Sequence, residues 1–386
     1  MLWPVLLLLI AGCSSTWLAY GLDPAVAAHL GGLKFVILTR QIQWILLVLS
    51  IGPCLVLVGR VTLNKNRAVW LIGLSLVVAM LFVRFSPNKI KPVRILDGPT
   101  LPTWSDRSGV VDEEWVVGLQ LEGTAYAFPY RSLFRTPIVQ LTDFDRRVIL
   151  IDSPYANSAT ALDTTREMRA DDLEYVASPD NSTLVYDRKY GQFIIGLTGQ
   201  TAKGQTPTGV RGELPVDRMP LGEWRKIHPT TRIMLPTEAD EALPGMPLAP
   251  KFPPTFKDTS LPPETPITLL HVDPPIALAT TDFAGPLSIK AGATPLVLWR
   301  YGSGLRAFKR VVDKDLFLTF SLKKDRTGKV RLIDDGTRSQ WTYDGACTDG
   351  PLKGKKLEEL RVEDNVYWGV CKTWWPDLTL VRPGNG

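Results

Sequence analysis

Apolar residues crowd the first 85 positions and then thin into short runs broken by Gly, Pro, Asp and Asn. Three long apolar segments come first: from Leu2 to Tyr20, interrupted by Gly12, Ser14, Ser15 and Thr16; from Gln41 to Gly59; and from Ala68 to Phe85. A helix of about 20 residues crosses a bilayer and about 17 suffices, so the second and third segments predict spans. The first predicts either a further span or an export signal. The pattern predicts two or three transmembrane helices within residues 1–92, with the lipid bilayer as the first partner.

Beyond Pro92 the periodicity changes. Residues 93–112 have linker composition, with Gly98, Pro99, Pro102 and Gly109 among polar residues. Alternating apolar runs then predict hairpins: Trp115 to Leu121 returning as Thr124 to Phe128, and Pro137 to Leu141 returning as Val148 to Ile151. Leu221 to Ile227 reads as a short helix that His228-Pro229 stops, because proline cannot continue it. Eleven prolines between Pro236 and Pro275 predict an extended connection with no helix and no central strand. A second set of strand-like runs follows, and the stretch from Tyr367 to Trp375 is predicted to match that from Leu221 to Ile227.

The two sets share a spacing. Gly199 and Gly345 are 146 residues apart, as are Gly204 and Gly350, and Pro229 and Pro376 are 147 apart. A constant offset is the mark of an internal duplication. The expected architecture is N-terminal transmembrane helices followed by a mainly β (α+β) soluble module with an internal duplication. Its divisions are membrane region 1–92, linker 93–112, first β-rich repeat 113–235, proline-rich connection 236–275 and second β-rich repeat 276–382.

Charge changes this picture little. The net charge of +5 gathers beside the apolar segments, which is a membrane signature, and no nucleic-acid motif accompanies it. The connection from Arg60 to Arg67 carries three positive charges and favours a cytoplasmic loop, while Lys34, Arg40, Arg84, Lys89, Lys91 and Arg94 on the other side argue the reverse. Three histidines, His29, His228 and His271, exclude a histidine-rich metal centre, and no cofactor is implied. Ile10-Ala11-Gly12-Cys13 matches a lipoprotein cleavage box and makes Cys13 a candidate for lipidation, although no Lys or Arg precedes Trp3. Cys347 and Cys371 are either a disulfide pair or two unrelated core residues.

Candidate binding residues are Asp143, Asp145, Asp187 and Arg188 at hairpin turns, His228 with Trp224, and Trp341, Trp368 and Trp374, as core aromatics or a groove. Asp334-Asp335-Gly336 lacks the downstream glutamate of a calcium loop and reads as a turn.

From about Glu113 to Leu380 the chain resembles a bacterial family known as domain of unknown function 3179. The match runs through Ala127-Phe128-Pro129, Ile138-Val139, Val185-Tyr186-Asp187-Arg188 with Gly191, and Gly199 to Gly204, and again through Ala307-Phe308, Gly350-Pro351-Leu352-Lys353-Gly354 and Pro376-Asp377. The resemblance implies an extracytoplasmic or membrane-attached protein and no defined activity. Relatives of this type carry Cys-Pro-Leu-Cys where this chain has Ser153-Pro154-Tyr155-Ala156, and a histidine where it has Thr136. The resemblance therefore implies a scaffold kept without thiol chemistry. Binding or structural support is the expected role, at the bacterial plasma membrane with the module outside. A carboxylate-dependent hydrolase or transferase working between the repeats, and a subunit of a membrane complex, are the alternatives.

Overall fold

The computed structural model describes residues 2–61, 67–85, 93–251, 256–279, 285–312, 316–324 and 330–382. Four helices lead: α1 (Leu2–Tyr20), α2 (Pro24–Leu30), α3 (Leu33–Val61) and α4 (Arg67–Phe85). Two of them, α1 and α3, are long and apolar enough to cross a membrane, and both are mostly exposed; α4 carries a shorter apolar stretch. Their outward faces show Trp44, Val48, Leu55, Leu76 and Phe82 to the surroundings. Apolar surface of that extent belongs in lipid.

Helix α3 is longer than the apolar segment that announces it. It starts at Leu33 rather than Gln41, because its first two turns rest on protein. Asp23 caps α2 by accepting from Ala25 N at 2.8 Å, Pro24 presets its first turn, and Gly31 (φ 118°) ends it. Asp180 of the soluble module then accepts the Leu33 amide at 3.3 Å, placing a carboxylate at the positive end of α3. Arg40 pairs with Glu174 at 2.6 Å and lies over the Tyr186 ring. Ala27 and Val36 belong to the same buried cluster as Val176, Leu184, Ile267 and Trp368. Membrane helices and soluble module thus share a core. Arg84 closes the bundle on Gln43 (3.5 Å), bringing the end of α4 back to the module side.

The soluble module is a mixed α+β region followed by a largely β one. A five-stranded sheet runs Val93–Asp97, Ile138–Asp143, Arg146–Ser153, Ser158–Thr164 and Val210–Leu214. The stretch read as linker contributes its edge strand, with Val93–Asp97 parallel to residues 138–142. Polar spacing there hid an alternate set of side chains that needs a partner sheet to become a strand. Against this sheet packs a four-stranded one, ordered Val216–Pro220, Trp115–Leu121, Thr124–Pro129 and Arg232–Ile233. Leu119, Phe128, Val139 and Leu150 fill the space between them. Both predicted hairpins are present.

The later region holds a four-stranded sheet ordered Val362–Tyr367, Pro266–Leu270, Ile276–Leu278 and Thr379–Val381, and another ordered Leu287–Ala291, Thr294–Tyr301, Gly304–Lys309 and Glu359–Leu360. Pro266–Leu270 is paired on both edges, which corrects the expectation that the proline belt holds no central strand. Its only proline is the first residue, and Ile267–Leu270 donate normally. The remaining described strands form a three-stranded sheet within residues 173–195, a four-stranded one within 320–349, and a two-stranded pairing of Val311–Val312 with Leu316–Phe317.

Two of these sheets follow one plan. In each, an outer strand pairs antiparallel with a hairpin, a seven-residue helix follows that outer strand, and a last strand pairs parallel with the hairpin. The helices are α6 (Leu221–Ile227) and α7 (Trp368–Trp374), the short α5 (Tyr130–Arg135) lying earlier in the chain. Each is closed by an amide one residue past its end: His228 N to Trp224 O and Trp375 N to Cys371 O.

Trp224 is wholly buried, and a Cβ placed on Gly118 would come within 2.5 Å of its ring. The strand carries glycine there so that the indole can lie flat on the backbone. Gly118→Ala is expected to cost about 1–3 kcal/mol by overpacking, read as a lower midpoint in urea with an unchanged slope.

Candidate functional site

Charged residues inside the outer strands build the junction between the two regions. Asp217 sits within Val216–Pro220 and Glu363 within Val362–Tyr367, 146 residues apart, and both are buried. Arg306 bridges Asp217 to Glu359, the latter at 2.7 Å, and Tyr343 donates to Asp217 at 2.9 Å. Arg361 bridges Glu363 (2.7 Å) to Glu213 (2.8 Å) and donates to Thr160 Oγ1 at 2.6 Å. His271 Nε2 lies 2.7 Å from Glu363 and Ser158 donates to its other oxygen. Each cluster holds one guanidinium between two acids.

The electrostatics of the clusters differ. Burial pushes Asp217 and Glu359 upward, because Arg306 only partly offsets it while serving both. Burial also works against Glu363, but Arg361 and the His271 hydrogen bond win and bring it down to about 2. His271 itself is lowered, by burial and by Arg361, so it stays neutral and donates its Nε2 proton to the carboxylate. Between the clusters lies a gap of about 20 Å³, room for a single water. This part of the junction is closed and has no space for a substrate.

A larger opening lies beside it. A pocket of about 220 Å³ is walled by Gln120 and His228 from the first region and by Trp299, Tyr301, Tyr343 and Asp344 from the second. Tyr343 meets Trp299 edge-on at 5.8 Å and Tyr301 at 6.0 Å. Trp224 backs the His228 ring at 4.1 Å. Burial, and then the Arg306 charge, lower His228 to about 4, so its ring is uncharged at neutral pH. His228 Nε2 and Trp299 Nε1 are both buried without a hydrogen-bond partner among the described residues. Neither atom reaches the open pocket, and the core indoles of Trp341 and Trp368 are unpaired in the same way among the described residues. Lys226 stands at the rim and pairs with Glu223 at 2.6 Å.

The other sequence candidates fall elsewhere. Asp187 accepts from the amides of Lys189 (2.9 Å) and Tyr190 (3.2 Å) and from Gln192, so it holds a turn. Asp145 is exposed at a hairpin tip with Arg166, whereas Asp143 is buried at the other end of that turn, beside the Tyr126 hydroxyl. Arg188 ties the turn to Asp171 and Asp172. None of the three acids lines the pocket. Asp334 accepts from Thr319 and Thr337, as a turn residue does. No cluster of metal-ligating side chains occurs among the described residues.

Trp341 and Trp368 are fully buried core residues, and Trp374 donates to Asp180 O at 3.1 Å, fastening α7 to the turn that caps α3. Cys347 and Cys371 are both free and belong to different clusters, so the candidate disulfide is not made. Their spacing in sequence suited a bridge, but their strands and helices carry them into separate cores. Cys13 is free and exposed on α1, an unbroken helix from Leu2 to Tyr20. At the position where the resemblance implies thiols, Ser153 Oγ accepts the Thr183 amide at 3.0 Å, and Ala156 is buried.

Asp217, Arg306, Arg361 and Glu363 escaped the sequence reading. Asp217, Arg306 and Glu363 lie in strands that carry other polar residues, as in Val216-Asp217-Arg218-Met219, and Arg361 lies between two strands, so nothing local marked them as buried.

Fold and junction together define a membrane-anchored protein with a β-rich soluble module. The family model described as protein of unknown function (DUF3179) matches residues 94–378, and the chain belongs to that family. No curated protein and no solved structure matches the chain.

Proposed function

We propose that this is a binding protein of the bacterial plasma membrane, whose soluble module lies outside the cell and takes a small ligand in the pocket between two duplicated halves. The observation that carries the reading is the pocket itself. It is a concave space that both regions wall, with half-buried aromatic Tyr301 and Tyr343 set beside polar Gln120, His228 and Asp344, and such a mix of aromatic and polar lining suits a ligand site.

The duplication is supported by the common plan of the two four-stranded sheets and by matched backbone conformations. Gly199 and Gly345 have φ of 69° and 76°, and Gly204 and Gly350 have 74° and 92°. The orientation is supported by the basic connection from Arg60 to Arg67, since such loops stay in the cytoplasm. It joins the ends of α3 and α4 remote from the module, and α4 would then be a third crossing.

Gln120 offers a direct test. Gln120→Trp places a large ring in the pocket wall. A diverse small-molecule set screened by thermal shift on the full chain in detergent is expected to give compounds that stabilise the native protein and leave the variant unmoved. Stabilisation of both proteins alike by every compound found would count against the pocket. A C-terminal reporter active only in the cytoplasm would refute the orientation.

A further inference from the structure

Independently of the junction pocket, we infer that the soluble module holds the phosphate headgroup of an anionic phospholipid in a second cleft, beside the membrane helices. This cleft, of about 420 Å³, is bounded by Val93 and Arg94 at the start of the edge strand, by Arg135 and Thr136 at the end of α5, and by residues 237–240. Arg94 donates through Nη1 to Leu235 O at 3.1 Å, and Arg135 through Nη1 to Ala239 O at 3.4 Å. Two guanidinium groups thus converge on one short segment. Neither meets a carboxylate among the described residues, where each uses a single nitrogen. Thr136 is 7% exposed and lines the same cleft, and its hydroxyl makes no hydrogen bond among the described residues.

These donors select the ligand class. Guanidinium and hydroxyl groups meet oxygens that only accept, and the arginine fork matches phosphate oxygens two at a time. An organic cation would face two positive charges instead. The acids in the wall do not reverse the preference. Asp240 is 2% exposed; its Oδ2 takes the Ser132 hydroxyl at 3.2 Å and the Thr237 amide at 2.8 Å, and its Oδ1 is buried. Glu238 is exposed at the rim, where solvent screens it, so it weakens an anion without excluding one.

Position selects the source of the phosphate. Val93 packs in one cluster with Leu173, and the next residue, Glu174, holds Arg40 of α3 at 2.6 Å. Arg84, in the last turn of α4, reaches α3 on the same side through Gln43. Residues 86–92, with Lys89 and Lys91 among them, are all that separates α4 from the edge strand in sequence. Lipid headgroups are the phosphates nearest to that place, and basic clusters beside membrane helices attract them. The volume equals about fourteen waters of liquid, room for a phosphate and its glycerol.

Native mass spectrometry of the full chain in neutral detergent tests this, with dioctanoyl phosphatidylglycerol, dioctanoyl phosphatidylcholine and inorganic phosphate as probes. Phosphatidylglycerol is expected to bind about tenfold more tightly than phosphatidylcholine, because only its headgroup carries a net charge for the arginines. Arg94→Gln and Arg135→Gln should each weaken it about tenfold and leave phosphatidylcholine unmoved. Glu238→Gln keeps both arginines and should tighten phosphatidylglycerol about threefold, a gain that a loosened fold would not produce. Equal binding of the two lipids, or a preference unchanged when both arginines are replaced, overturns the inference. Inorganic phosphate bound as tightly as the lipid, with the same dependence on the arginines, overturns it too and leaves a site for a soluble anion.

Discussion

Replacing Arg306 with methionine is expected to destabilise the soluble module by about 3–5 kcal/mol. The residue is 3% exposed and its side chain holds Asp217 and Glu359 across the junction. Methionine fills much of the same space, so the cost is not a cavity. It comes from two carboxylates left in a low-dielectric setting without a cation, which burial already pushes upward in the native protein. The cure is therefore to remove the charges. R306M combined with D217N and E359Q should recover most of the loss, because a buried ion cluster replaced as a whole is close to neutral. Denaturant unfolding of the three proteins decides the matter. A single variant within about 1 kcal/mol of native would mean that the acids reach water and that the junction is looser than its geometry.

Asp152 should respond in the opposite sense. It lies in Arg146–Ser153, 5% exposed, and burial raises it to about 7 even though the Arg218 charge opposes the shift. A carboxyl raised from 3.8 to about 7 favours the folded state when protonated. Its contribution is intact below pH 4 and is lost as pH climbs to 7, by up to about 4 kcal/mol at 1.36 kcal/mol per unit. Asp152→Asn is expected to match the native protein at pH 4 and to exceed its stability by a few kcal/mol at pH 8. Urea midpoints at the two pH values measure the difference, in which all other titrations cancel. Equal midpoints at pH 8, or a less stable variant there, would show Asp152 paired as a carboxylate with Arg218.

Local order was legible and long-range order was not. The hairpin of residues 115–129 reads straight from alternation around Glu122-Gly123, and α6 reads from its proline stop. The stretch that forms α7 read as a strand or a short helix of the same kind as α6. The first turns of α3 were hidden because Lys34, Thr39 and Arg40 interrupt the apolar run. They are helical because Asp180, 147 residues away, caps them and Glu174 pairs with Arg40. Pro266–Leu270 disappeared into its proline-rich surroundings for want of any visible partner. The pocket was half legible: His228 stood out as a rare residue, but its opposite wall begins more than seventy positions later. The junction ion clusters depend on pairs such as Asp217 with Arg306, and no local pattern couples two strands so far apart.

Helix α3 carries one last implication. Its 29 residues, with Pro53 inside the helix, span up to about 43 Å, whereas bilayer hydrocarbon is about 30 Å thick. The remaining 13 Å or so are rooted in the module, with no swivel between lipid and sheet. The contacts of Asp180 and Glu174 with the first turns therefore couple the module to the tilt of this helix. A thinner bilayer that tips this rod would swing the entire head with it, so membrane thickness becomes a control on where the site faces.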